Sequence, residues 1–121
     1  MRVLVCGGRD YTDYTKVDSV LDGIHASTPI RAIIHGNARG ADRCGGDWAM
    51  RRVGVSNWPV PAQWSKFGKA AGPKRNQAMI GLQPDLVVAF PGGRGTADMV
   101  KRARAAGVTV IEVTPHPDQM R

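Results

Sequence analysis

Short β-branched runs that end in glycine, each followed by apolar residues at helical spacing, constrain this chain more than any other feature. "RVLVC" (2–6) stops at Gly7-Gly8, "RAIIH" (31–35) at Gly36, and "DLVVAF" (85–90) at Pro91-Gly92-Gly93. Runs this short, with no polar alternation, suit strands buried on both faces, as in a parallel sheet covered by helices on each side. Helical patterns lie between them. Val17, Val20, Leu21 and Ile24 recur at helical spacing after Thr15, with Asp13 or Thr15 available as N-cap. "ADRCGGDWAMRRV" (41–53) reads as a helix weakened by two internal glycines, and "PKRNQAMIGL" (73–82) as one with Pro73 in its first turn. "TADMVKRARAAG" (96–107) is a helix closed by Gly107. "VSNWPVP" (55–61) is a poorer strand whose prolines place it at an edge, and "VTVIEV" (108–113) is the last strand.

Alternating strands and helices joined by right-handed crossovers give an α/β, doubly wound, Rossmann-like parallel sheet of about five strands. At 121 residues the chain has room for one domain, 1–121, with the polar tail from Thr114 expected to be loose. The stretch 59–72, "PVPAQWSKFGKAAG", is too long for a plain connection and reads as a loop folded over something. No apolar run reaches the ~20 residues of a membrane span, and the apolar start is too short for a secretory signal, so a cytoplasmic location is expected. Cys6 and Cys44 form no metal-ligand pattern, and His25, His35 and His116 are scattered; no metal and no cofactor are expected.

Every strand of such a sheet ends at one edge, where ligands bind. Three loops at that edge combine glycine with a basic residue: Gly7-Gly8-Arg9-Asp10, the segment from His35 and Gly36 through Arg39, Gly40, Asp42 and Arg43, and Pro91-Gly92-Gly93-Arg94-Gly95-Thr96. Glycine lets the backbone approach a ligand closely, and a helix N-terminus adds unpaired N–H groups and partial positive charge. Guanidinium forks beside them suit phosphate oxygens. A formal charge of +7 also suits an anionic partner, a phosphorylated small molecule or nucleic acid. The loops lack GxGxxG and GxxxxGK[ST], which argues against a hydride-transfer enzyme and a P-loop NTPase. Thr96 is either the N-cap of its helix or a direct ligand donor.

At these residues the sequence resembles the SLOG superfamily. "PGGRGT" is similar to the PGGxGT motif of that superfamily, which includes the LONELY GUY phosphoribohydrolases and the DNA-processing protein A group. "GGRDY", "HGNARGAD", "AGPKRNQAMI" and "PDLVVAFPGGRGT" are closer to the small YspA-like SLOG proteins (domain of unknown function 2493). The resemblance runs from Val3 to about Val113. It implies a Rossmann-like fold, a nucleotide-derived ligand and a homo-oligomer. In the phosphoribohydrolases the motif continues to PGGxGTxxE, with an arginine on the preceding helix. Arg75 matches that arginine and Lys74 stands beside it; Met99 occupies the glutamate's position.

N-glycosidic cleavage needs a carboxylate, and methionine supplies none. Asp98 is one helical step away, about 100° around the axis, and its simpler role is an acid favouring the helix N-terminus. Asp10 and Asp42 are further carboxylates that serve equally as turn or cap residues. The reading favoured is a sensor or sequestering protein for a nucleotide or nucleotide-derived molecule. An N-glycosidase or phosphoribohydrolase using Asp98 and Arg75 is the first alternative, and a nucleic-acid binder with weak, salt-sensitive affinity the second. Trp64, in the long loop, is the base-stacking candidate, whereas Trp48 packs a helix and Trp58 lies in a strand. His35 either faces the ligand or is a satisfied buried histidine. Ala78, Met79 and Ile80 read as core, and helix 73–82, with Met79 and Ile80, is also the guess for an oligomer contact.

Overall fold

A computed structural model describes residues 1–115; the remaining tail residues, with His116 and most of the segment read as loose, lie outside them. Five parallel strands form one sheet: β1 (Arg2–Cys6), β2 (Ala32–His35), β3 (Ser56–Pro59), β4 (Leu86–Ala89) and β5 (Thr109–Glu112). Their spatial order is β3-β2-β1-β4-β5, the doubly wound arrangement expected from the sequence. β1 is central, pairing Val3 with Ile33 on one side and with Leu86 on the other. The proline-containing β3 sits at one edge, where a missing N–H costs no ladder bond.

Successive residues of β1 point to opposite faces, which divides the core in two. Val3 and Val5 pack with Val17 and Leu21 of α1 (Tyr14–Ser27) and with Cys44 and Trp48 of α2 (Ala41–Met50). Leu4 and Cys6 pack with Met79 and Ile80 of α4 (Ala71–Gly81) and with Met99, Val100 and Ala103 of α5 (Arg94–Ala105). Asp13 caps α1, its Oδ1 accepting from the Lys16 N–H at 3.1 Å. The glycines inside α2 have a packing role. A Cβ on Gly45 would lie 3.0 Å from the Val5 side chain, so glycine lets α2 press onto the sheet.

Several boundaries shift from those read in the sequence. α2 ends at Met50 rather than at residue 53, and α4 begins at Ala71, two residues before Pro73. The segment 59–72 is not wholly irregular. It contains a short helix, α3 (Trp64–Phe67), and a 3-10 turn, Gly68–Ala70, before running into α4. α5 starts at Arg94 with Gly93 as its N-cap, so Thr96 is a first-turn residue and not the cap. Ala78 is exposed rather than core. Met79 and Ile80 are buried inside this chain, which removes them as an oligomer contact. Among the described residues, no helix is long and apolar enough to cross a membrane.

Candidate functional site

The sheet's order reverses between β1 and β4: the chain leaves β1 toward α1 on one face and leaves β4 toward α5 on the other. The diverging loops leave a crevice beyond the strand ends. A cavity of about 620 Å³ occupies it, within the range of small-molecule sites. Its floor is Cys6-Gly7-Gly8-Arg9, where β1 ends. The first turn of α5 forms one wall with Gly93, Arg94, Gly95 and Thr96. Gly93 caps this helix without a side-chain hydrogen bond, so the first-turn N–H groups keep their partial positive charge beside the cavity. The two loops are bonded together, the Gly8 N–H donating to the Pro91 carbonyl at 2.9 Å.

Helix α4 supplies the opposite wall through Arg75 and Asn76. Arg75 Nη1 donates to the Gly36 carbonyl at 2.7 Å, and its Nε to Asn76 Oδ1 at 3.0 Å. The buried Asn76 passes the connection on, its Nδ2 donating to the Gly95 carbonyl at 3.2 Å and to Asp98 Oδ2 at 2.9 Å. Asp98 Oδ2 also accepts from Arg102 Nε at 2.8 Å. One asparagine thus orients both the arginine of α4 and the carboxylate of α5. Asp42, at the start of α2, closes the cavity from behind, with Oδ2 accepting from the Gly36 N–H at 3.1 Å and the Ala38 N–H at 3.4 Å.

These surroundings separate the two carboxylates. Burial dominates at Asp42 and pushes its pKa up to about 6, against the lowering influence of the Ala38 N–H and Arg75. At Asp98 burial also acts upward, but the hydrogen bonds from Arg102 and Asn76 together outweigh it and hold the group below the usual carboxylate range. Asp98 is therefore ionised at neutral pH, while Asp42 titrates close to it. Burial also pushes the Cys6 thiol up to about 12, which leaves it protonated and unreactive. Arg75 is lowered by burial but remains a cation, as guanidinium does in proteins.

Trp64 of α3 stands at the cavity mouth, with the Arg9 guanidinium 5.7 Å from its ring centroid. Its ring packs over Gly72, where a Cβ would sit 3.3 Å from it. Lys69, from the 3-10 turn, also lines the cavity. Neighbouring Lys74 does not; its Nζ lies 4.9 Å from the centre of the Phe67 ring.

Gly36 and Arg39 line an adjoining cavity. Asp10 pairs with Arg39 at 3.0 Å, both exposed. Gly40 supports the β1 loop, its φ of 82° presenting the backbone directly to the Gly8 and Arg9 carbonyls. Pro91 and Gly92 pack behind the cavity wall against Gly8. His35 is buried away from both cavities: its Nδ1 accepts from the Asn37 N–H at 3.0 Å, so the ring proton sits on Nε2 and is donated to Asn57 Oδ1 at 2.6 Å. Arg43 is exposed and lines neither cavity. Met99 is fully buried against the sheet, so the glutamate's position of the phosphoribohydrolase motif faces the core and not the ligand space.

Sequence reading passed over Lys69 and Asn76, which line the same cavity as Arg75. Asn76 follows Arg75 in "KRNQ", and a polar residue one turn from two core positions is the signal that marks it. Lys69 carried none, because its place depends on how the 59–72 segment folds. Among the described residues no three His, Cys, Asp or Glu side chains gather as metal ligands.

Fold and cavity together define a small Rossmann-like α/β protein. The model of the YspA, cpYpsA-related SLOG family matches residues 1–67, and the Gene 61 protein of Mycobacterium phage D29 is 39% identical over 123 aligned positions, covering 96% of this chain and 98% of that protein. The chain belongs to the YspA, cpYpsA-related SLOG family. Among solved structures, the Moco carrier protein from Chlamydomonas reinhardtii superposes with a TM-score of 0.64 over 97% of this chain and 78% of its own, at 17% identity. That likeness is one of fold.

Proposed function

We propose that this protein binds a nucleotide or nucleotide-derived small molecule, as a sensor or sequestering protein, in the cavity at the β1/β4 switch point. The supporting observation is convergence: the Gly7–Arg9 loop, the first turn of α5, Arg75 and Lys69 all border one space of about 620 Å³. A phosphate at the α5 N-terminus meets backbone N–H donors and the positive end of the helix. Arg94 and Lys69 add full charges, and Trp64 offers an aromatic face to a base. Asp98 Oδ1 has no hydrogen-bond partner among the described residues; it suits a sugar hydroxyl.

Nucleotide panels scored by thermal unfolding test this reading, since ligand at ~100 times its Kd adds about 2.7 kcal/mol. A Cβ at Gly93 would meet nothing within 4 Å, so Gly93→Asp keeps the fold while setting a carboxylate beside the phosphate. The natural chain should be stabilised and the variant not. No shift and no heat of binding across the panel would end the proposal. Assembly as a homo-oligomer belongs to the same proposal and is read from light scattering at micromolar concentration.

A hydrolase is the second reading, favoured by Asp42 and Asp98 lining one cavity with their pKa values driven apart. A protonated Asp42 is the group able to donate to a leaving base.

A further inference from the structure

The chain's positive charge is not spread evenly. Between Asp47 and Asp85 stand six Lys and Arg and no Asp or Glu, which accounts for six of the seven surplus charges. The rest of the sequence is nearly balanced, with eleven basic residues against ten acidic. Within the basic stretch Arg51 and Arg52 are spent on ion pairs with Asp18 and Asp22, and Arg75 belongs to the cavity wall. Lys66, Lys69 and Lys74 are left, all of them exposed. Among the described residues the ion pairs engage arginines alone, so none of these lysines is paired with a carboxylate.

The same surface carries aromatic rings that the core does not use. Every residue of 63–70 is exposed, and neither α3 nor the 3-10 turn buries a side chain. Trp64 and Phe67 are 49% and 36% exposed, and three positions apart on one helix they lie on the same side. The ammonium groups of Lys66 and Lys74 stand 5.1 Å and 4.9 Å from the Phe67 ring centre. Exposed cation–π contacts are weak, so both lysines can turn to phosphate oxygens and leave the ring to a base.

We propose that single-stranded nucleic acid docks across α3 and the start of α4, with bases stacked on Phe67 and Trp64 and phosphates held by Lys66, Lys69 and Lys74. Rings set among cations bind strands with little regard to sequence, since every base has a π-face. A duplex keeps its bases stacked on one another and offers none to the rings. A four-residue helix buries too little apolar area to hold a lipid surface, and an acidic peptide would leave the rings without a planar partner. Lys66, Phe67 and Lys74 line neither cavity, whereas Trp64 and Lys69 mark where this surface meets the nucleotide site. The proposal does not rest on nucleotide binding there.

Fluorescence anisotropy tests it, with a labelled oligothymidylate, an abasic strand of equal length and phosphatidylserine vesicles as competitor. Three phosphate contacts on a single strand should give log K against log salt a slope of about −2. Oligothymidylate should bind at least about fivefold more tightly than the abasic strand, the difference being base stacking. Phe67→Ala and Lys66→Glu, both at exposed positions, should each weaken oligothymidylate at least about fivefold and AMP less than about twofold. Equal affinity for the abasic strand would overturn the stacking surface. So would vesicle binding without strand binding, or equal losses for AMP and oligothymidylate in both variants, which would put the strand's end in the nucleotide cavity. Where AMP itself fails to bind, the nucleotide-binding reading falls and the strand measurements still decide this one.

Discussion

Asp42 and Arg75 meet on the side of Gly36 where a Cβ would stand: the carboxylate accepts its N–H at 3.1 Å and the guanidinium donates to its carbonyl at 2.7 Å. A Cβ at this residue would fall 2.8 Å from Asp42 Oδ2 and 2.6 Å from Arg75 Cζ. Arg75 is the flexible partner, so Gly36→Ala should keep the fold and push the guanidinium away from its place in the cavity wall. The expected outcome is at least a tenfold loss of nucleotide affinity with an unchanged circular dichroism spectrum. Full affinity in this variant would mean that Arg75 does not meet the ligand.

Asp42 also writes a pH dependence into stability. Its folded pKa of about 6 lies above the ordinary 3.8. The folded state therefore binds the proton more tightly, and stability falls as pH rises from the unfolded value through the folded one. A gap of this size corresponds to about 3 kcal/mol. Asp98 runs the other way: its depressed folded pKa gives stability present above the ordinary value and lost as pH falls through the folded one. Comparing the natural chain with Asp42→Asn isolates the first effect. The variant's advantage in denaturant midpoints should grow between pH 4 and pH 7 and then level off. An advantage independent of pH would show that Asp42 ionises normally.

The fold was legible because β1, β2 and β4 are short apolar runs that end in glycine or Pro-Gly-Gly, and the helices carry Val17, Leu21, Met99 and Ala103 at core spacing. The glycine loops marked the sheet edge that carries the cavity for the same reason. What lay beyond the sequence was depth. His35 and Cys6 both end strands, yet Cys6 lines the cavity while His35 turns behind it to Asn57. Lys69 and Lys74 differ only by five positions in a basic stretch, and the fold of α3 sends one to the cavity and the other over Phe67. The spacing of Asn76 from Met79 and Ile80 marks it as inward-facing, but its partners Gly95 and Asp98 on α5 are set by the fold.

Asn76 is the internal tie between α4 and α5, so its removal should be felt at both. Asn76→Ala leaves the Gly95 carbonyl and the Arg75 Nε each short of a partner, at a cost of about 1–3 kcal/mol. Asp98 loses one of the two hydrogen bonds that hold its carboxyl low. Its pKa, followed by carbon-detected NMR, should rise toward the ordinary value. A variant as stable as the natural chain, with Asp98 unmoved, would show that Arg102 alone sets that carboxylate.

Met99 stands where the phosphoribohydrolase motif has glutamate, and it is 0% exposed in the core under α5. Met99→Glu should therefore destabilise the protein by more than about 3 kcal/mol, since an unpaired carboxylate would be buried there. It should not create a hydrolase. In the natural chain Asp98 is ionised and its Oδ2 is committed to Asn76 and Arg102, so it is poorly placed to protonate a leaving base. With acid–base help worth about 10²–10⁴-fold and Asp98 so committed, the binding reading expects nucleoside monophosphates to release free base and ribose 5-phosphate at close to the background rate unless Asp42 supplies the proton. Chromatography of the incubated mixture measures this directly. Rapid release with an apparent pKa near that of Asp42, abolished in Asp42→Asn, would establish the hydrolase; rapid release lost instead in Asp98→Asn would assign the step to Asp98. Either outcome would replace the binding protein with an enzyme.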